Sequence, residues 1–117
     1  MVGSLHHPFA DLAARGRPFW LPPAGWGNGL DADTWIAIID VRGELPATLL
    51  LLELRDAGVP GYAAVIRRPH VLGAGRSGAG PLTVRIWVGG EAYGRGESVV
   101  LRAMPGLVDQ FGPSLLD

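Results

Sequence analysis

The segment Thr34 to Val41 (TWIAIIDV) most narrows what this chain can fold into. It is built from β-branched and aromatic residues and is bounded by Asp33 and Gly43, the composition and punctuation of a β-strand. Strict alternation puts Trp35, Ala37, Ile39 and Val41 on one face and Ile36, Ile38 and Asp40 on the other. Both faces are largely apolar, so each needs a cover, and the expectation is a central strand.

The next residues, Glu44 to Ala57, predict a helix with Pro46 in its first turn and Gly58 placed to cap its C-terminus. At 100° per residue Ala47, Leu50, Leu51, Leu54 and Ala57 form one apolar stripe, which is what a helix covering a sheet requires. A second stripe, Leu45, Leu49 and Leu52, lies almost opposite and needs a separate cover. Further strands are expected at Gly61 to Arg67 and at Leu82 to Val88, where Val84, Ile86 and Val88 alternate against Thr83, Arg85 and Trp87. His70 to Pro81, with its core GAGRSGAG, predicts an irregular connection. Glu97 to Met104 is assigned to a short helix in preference to a strand, with Pro105, Gly106, Gly112 and Pro113 breaking the C-terminal tail into short pieces.

Residues 1–33 carry Pro8, Pro18, Pro22 and Pro23 interleaved with Phe9, Phe19, Trp20 and Trp26. Flexible linkers lack large aromatics, so this is an arm that packs on its own domain or on a partner. Pro8 to Ala14 suits one short helical turn. With 117 residues the chain has room for one core. The organisation expected is an arm (1–33), a folded domain (34–107) and a C-terminal tail (108–117). The fold class is α+β: a βαββ(α) unit whose small antiparallel sheet is covered by helices on one face.

The order strand, helix, strand, strand, helix, with ELRDAGVPGYAAV at Glu53 to Val65 and VRIWV at Val84 to Val88, resembles small prokaryotic signal-transducing domains. Those are similar to half of a ferredoxin-like fold. The resemblance covers about residues 34–104 and rests on a helix ending in the pattern L-x-x-A-G-[VI]-x-x-x-A. It implies a ferredoxin-like sheet, no defined ligand and no catalytic residues.

Charge and composition narrow the partners. Ten basic against 11 acidic residues give a formal net charge of −1, which supplies no general attraction to nucleic acid or to an anionic membrane surface. The longest apolar run, Leu49 to Leu52, is far too short to span a bilayer, and Met1 to Ala10 has no signal-peptide pattern, so a cytoplasmic location is expected. All basic residues are arginines, a bias that points to a bacterial source of high GC content. With no cysteine, thiolate metal sites and thiol nucleophiles are excluded.

The motifs are equally sparing. Gly73, Gly75 and Gly78 have the G-x-G-x-x-G spacing, but Pro81 and a strand come next where a dinucleotide site needs a helix. His6, His7 and His70 lack neighbouring acidic ligands, and none of the serines sits in a G-x-S-x-G elbow. No cofactor or metal is expected. The leading reading is a non-enzymatic interaction or regulatory module that dimerises or docks on a protein partner, a homodimer above all. Leu45, Leu49, Leu52, Trp20, Trp26 and Trp35 are its interface candidates. The alternative is a small-molecule sensor in which Arg67, Arg85 and Trp87 form a guanidinium and aromatic platform for an anionic ligand. A small enzyme using Asp40 or a histidine ranks third.

Because Gly73 to Gly80 has no apolar side chain larger than alanine, shortening it to a two- or three-residue turn is expected to leave the melting temperature nearly unchanged. A fall of more than about 10 °C on thermal unfolding would show that the connection is packed.

Overall fold

Residues 21–68 and 82–116 are described by a computed structural model of the chain. The short turn expected at Pro8 to Ala14, Trp20, the histidines and the glycine spacing at residues 73–78 lie outside them. The described residues form β1 (Trp26–Gly27), β2 (Trp35–Arg42), α1 (Glu44–Asp56), β3 (Gly61–Arg67), β4 (Thr83–Gly89) and α2 (Tyr93–Phe111). Two 3₁₀ turns, Gly90–Ala92 and Pro113–Leu116, flank α2.

The four strands make one antiparallel sheet in the order β1-β3-β4-β2. The architecture is therefore α+β, with both helices packed on one face of the sheet. The strand order is not that of a standard ferredoxin-like fold, because the short β1 lies beside β3. The interior strands are β3 and β4, and β2, expected to be central, is an edge strand. Apolar residues on both faces of a strand report that both faces are covered, not that both of its edges are paired.

The alternation along β2 is also corrected. Ala37 pairs with Trp87 and Ile39 with Ile86, so a bulge between them absorbs one extra residue and switches the face. Trp35 and Ala37 lie on the helix-free face with Trp87 and Tyr62, whereas Ile39 and Val41 face the helices with Ile86 and Val84. The helix-free face holds its own cluster of Leu21, Trp35, Tyr62, Ala64 and Trp87.

Helix α1 buries Pro46, Ala47, Leu50, Leu51 and Leu54, which is the primary stripe. It ends in a Schellman motif: the Gly58 N–H donates to Arg55 O at 2.9 Å and the Val59 N–H to Leu54 O at 2.9 Å. Gly58 takes φ +75°, a left-handed conformation that favours glycine. Helix α2 is longer than Glu97 to Met104 in both directions. Gly96, Val99, Val100, Ala103, Met104, Leu107, Val108 and Phe111 succeed one another at helical spacing on its inner side. Pro105 and Gly106 are exposed or nearly so on the outer side, so the hydrogen bond that the proline removes faces water and the helix continues. The boundary expected at residue 107 thus falls inside α2, and Leu115, from the turn beyond it, is buried in the core.

One buried polar side chain ties the N-terminal segment to this frame. Asn28 is fully buried, and its Nδ2 donates to Leu51 O at 3.1 Å and to Val59 O at 3.0 Å. Its Oδ1 accepts the N–H groups of Gly61 at 3.0 Å and Leu30 at 3.3 Å, while its own N–H donates to Gly61 O at 2.9 Å. Asn28→Ala leaves buried carbonyls and an N–H without partners, and is expected to lower stability by about 3 kcal/mol in urea unfolding. Asn28→Asp is expected to be at least as damaging at neutral pH, since an ionised carboxylate cannot donate to the two carbonyls.

Candidate functional site

As an edge strand β2 presents one row of backbone N–H and C=O groups away from β4. From Trp35 to Asp40, no backbone hydrogen bond from another described residue is made to that row. Its side chains are only partly covered: Ile36 is 45% exposed, and Ile38 and Ile39 are half-buried. The turn after α2 places Leu116, 48% exposed, beside them. Ala37, Ile38, Ile39, Asp40, Arg85 and Leu116 line an open groove of about 460 Å³ along this edge.

The groove carries one ion pair. Asp40 and Arg85 are cross-strand neighbours, and Arg85 donates through Nε to Oδ1 at 2.8 Å and through Nη2 to Oδ2 at 3.1 Å. This hydrogen bonding to Asp40 raises the Arg85 pKa, against a smaller opposing effect of desolvation, so the guanidinium is charged at every accessible pH. The planar fork and the carboxylate are matched in shape, and both side chains remain partly open to water.

A second concavity, of about 430 Å³, lies where the N-terminal end of β2 meets the 3₁₀ turn before α2. Asp31, Asp33, Glu91 and Arg95 line it, with Thr34 and the backbone of Gly89 and Gly90 as its wall. The four charged side chains belong to exposed residues. No group of three or more metal-ligating side chains occurs among the described residues.

The interface and ligand candidates from the sequence fall in different places. Leu45 is 57% exposed and Leu52 37%, while Leu49 is half-buried against the core. Trp26 is half-buried and its indole N–H donates to Thr48 Oγ1 on α1 at 3.2 Å. Trp35 is buried at the edge of an aromatic row, 6.3 Å from Tyr62, and its indole N–H has no hydrogen-bond partner among the described residues. Trp87 is buried as well, its ring centre 5.9 Å from Tyr62. Arg85 is engaged by Asp40, and Arg67 is exposed at the end of β3. The Trp87 ring, expected to form a platform, thus packs within the helix-free cluster.

Two residues that organise the molecule had no signal in the sequence. Asn28 sits in WGNGL, which has the composition of a turn. Tyr62, the second residue of an unremarkable strand, donates its hydroxyl hydrogen to Pro22 O and accepts the Gly25 N–H at 3.0 Å. These contacts hold the arm across the sheet edge, where Gly25 leaves no room for a Cβ beside Ala63 O and the Tyr62 ring.

Compared with known proteins, the chain matches no family model, no curated protein and no solved structure. No helix among the described residues is long and apolar enough to cross a membrane.

The partial exposure of the Asp40–Arg85 pair limits its structural worth. Replacing Arg85 by Met is expected to cost no more than about 1 kcal/mol in denaturant unfolding, with an unchanged circular dichroism spectrum. A loss several times larger would make the pair a structural element of the sheet.

Proposed function

We propose that this domain is a non-enzymatic interaction module that docks a strand of a protein partner along the outer edge of β2. The observation that carries the reading is the outward row of backbone groups from Trp35 to Asp40, which no backbone bond engages among the described residues, flanked by the half-exposed Ile36 and by Leu116. Backbone amides and carbonyls are strong, obligatory hydrogen-bonding groups, and an added strand satisfies them while its side chains find the apolar positions beside them. The β2-α1-β3-β4-α2 order supports the likeness to half of a ferredoxin-like fold. In the standard sheet of that fold a further strand lies beside the first, at the edge where β2 has no neighbouring strand among the described residues. The bulge between Ala37 and Ile39 keeps this edge from being a flat template for indiscriminate pairing, which suits a selective contact.

Amide hydrogen exchange tests this directly. In dilute solution the outward-facing amides of Trp35 to Asp40 are expected to exchange fast, while the inward-facing ones, bonded to β4, are protected. Association is expected to slow exchange of the outward set. Protection of every β2 amide in the dilute monomer would mean that the chain covers its own edge, and the docking reading would fall.

A further inference from the structure

We infer that the helix-free face of the sheet is the docking surface for the chain's own segment 1–20, laid across Tyr62 and Trp87 towards Trp35. This contact is independent of the docking reading at the β2 edge. On the helix-free face β3, β4 and β2 set Tyr62, Trp87 and Ala37 in one row and Ala64, Arg85 and Asp40 in the next. Trp35 lies beyond the first row, at the end of the sheet away from the β3–β4 connection. No helix covers these residues, yet Trp35, Tyr62, Ala64 and Trp87 are each at most 6% exposed. Among the described apolar residues outside the strands, Leu21 and Ala32 alone join them. Two such side chains are too small to roof three aromatic rings, which bury about 150–250 Å² apiece. The burial is that of a single chain, so the rest of the layer comes from the chain itself and not from a partner.

Two longer stretches lie outside the described residues, 1–20 and 69–81, and the pattern of burial distinguishes them. Residues 69–81 join β3 to β4 at the Arg67–Thr83 end. Burial fades towards that end: Ile66 is half-buried, Arg67 and Arg68 are exposed, and the side chains of Arg85 and Asp40 are 40% and 39% exposed. It is complete at the opposite end, where Leu21 lies buried in the cluster and Pro22 O accepts the Tyr62 hydroxyl. Residue 20 therefore starts out over the buried half of the face. The composition agrees, since residues 69–81 contain no aromatic residue and Phe19 and Trp20 immediately precede Leu21.

The run PFWLPP at Pro18 to Pro23 sets how the segment lies. A residue before proline is held extended, here Arg17 and Leu21. In extended backbone every second side chain returns to the same side, so Phe19 faces the sheet with Leu21 and packs over Trp87. From Tyr62 on β3 to Trp35 on β2 is two strand spacings, about 10 Å, which about three extended residues span. Backbone carbonyls around Pro18 are thus brought to Trp35, whose buried indole N–H has no acceptor among the described residues. A buried donor needs such a partner, and the extended segment has carbonyls to offer it.

Nuclear Overhauser contacts in the isotope-labelled full chain test the assignment. Contacts from the Phe19 ring to the rings of Tyr62 or Trp87 are expected, together with a slowly exchanging Trp35 indole proton. Phe19→Asp is expected to speed exchange of that proton by about tenfold or more and to increase binding of a hydrophobic dye, with an unchanged circular dichroism spectrum. Should that variant fail to fold, the contacts in the parent chain decide the matter without it. Trp35 and Trp87 rings that touch no residue of 1–20 overturn the inference, as do contacts from them to Val71 or Leu72 instead. Contacts found only between differently labelled chains in a mixed sample overturn it too, because the segment then covers a neighbouring copy. So does a folded Phe19→Asp variant whose Trp35 indole exchange is unchanged. None of these outcomes bears on the outward β2 amides, so the docking reading stands or falls on its own measurement.

Discussion

Asn28 is the contact on which the rest of the arrangement depends. A two-residue strand such as β1 has almost no stability of its own, and the described residues before it have no regular structure to hold them. The amide side chain supplies what the short ladder lacks, engaging the C-terminal half of α1, the turn after it and the start of β3 at once. Gly61 makes this approach possible, since a Cβ there would lie 2.8 Å from Leu51 Cδ2 and 3.1 Å from Asn28 Nδ2. With Asn28 fixed, Trp26 reaches Thr48 on the helix side and Leu21 reaches the aromatic cluster on the other. Residues 21–28 therefore wrap the β3 edge, and among the described residues the sheet is left with one open edge, at β2.

That remaining edge is shaped by the bulge between Ala37 and Ile39. One additional residue lets Trp35 join Tyr62 and Trp87 while Val41 and Ile39 join the helix-facing core, so a single strand serves two separate clusters. The same residue divides the strand into a part that ends near the polar cleft and a part that carries Asp40 and Arg42. Packing on the faces and the shape of the edge are thus set by one local irregularity in the backbone.

The elements β2, α1, β3 and β4 were legible to within a residue or so because each has a strong pattern and clear punctuation, such as Gly58 after the leucine-rich helix. The faces of β2 were not, because period-two reasoning has no way to register a bulge in a segment where Ile36, Ile38 and Ile39 are chemically equivalent. Helix α2 was underestimated because Pro105 and Gly106 carry strong breaking signals, and only the packed stripe on the other side of the helix outweighs them. The exposed leucines 45 and 52 were visible as a second stripe, yet the open edge was not, since edge or centre depends on which strand the chain brings alongside. Asn28 and Tyr62 act through partners 23 to 40 residues away, a range over which local composition is silent.

Pro105 has a consequence for how the end of α2 is held. The missing N–H removes the rung that would reach back to Leu101, so α2 contains a break between the turns around Gly96, seated against Val88 and Val59, and the last turns, which carry Leu107 and Phe111. The final turns of α2, with Leu115 and Leu116 attached, are therefore held in place chiefly by the burial of Leu107 and Leu115 in the core. The groove along β2 therefore has one wall fixed by backbone pairing, the strand itself, and one, Leu116, fixed by side-chain packing alone.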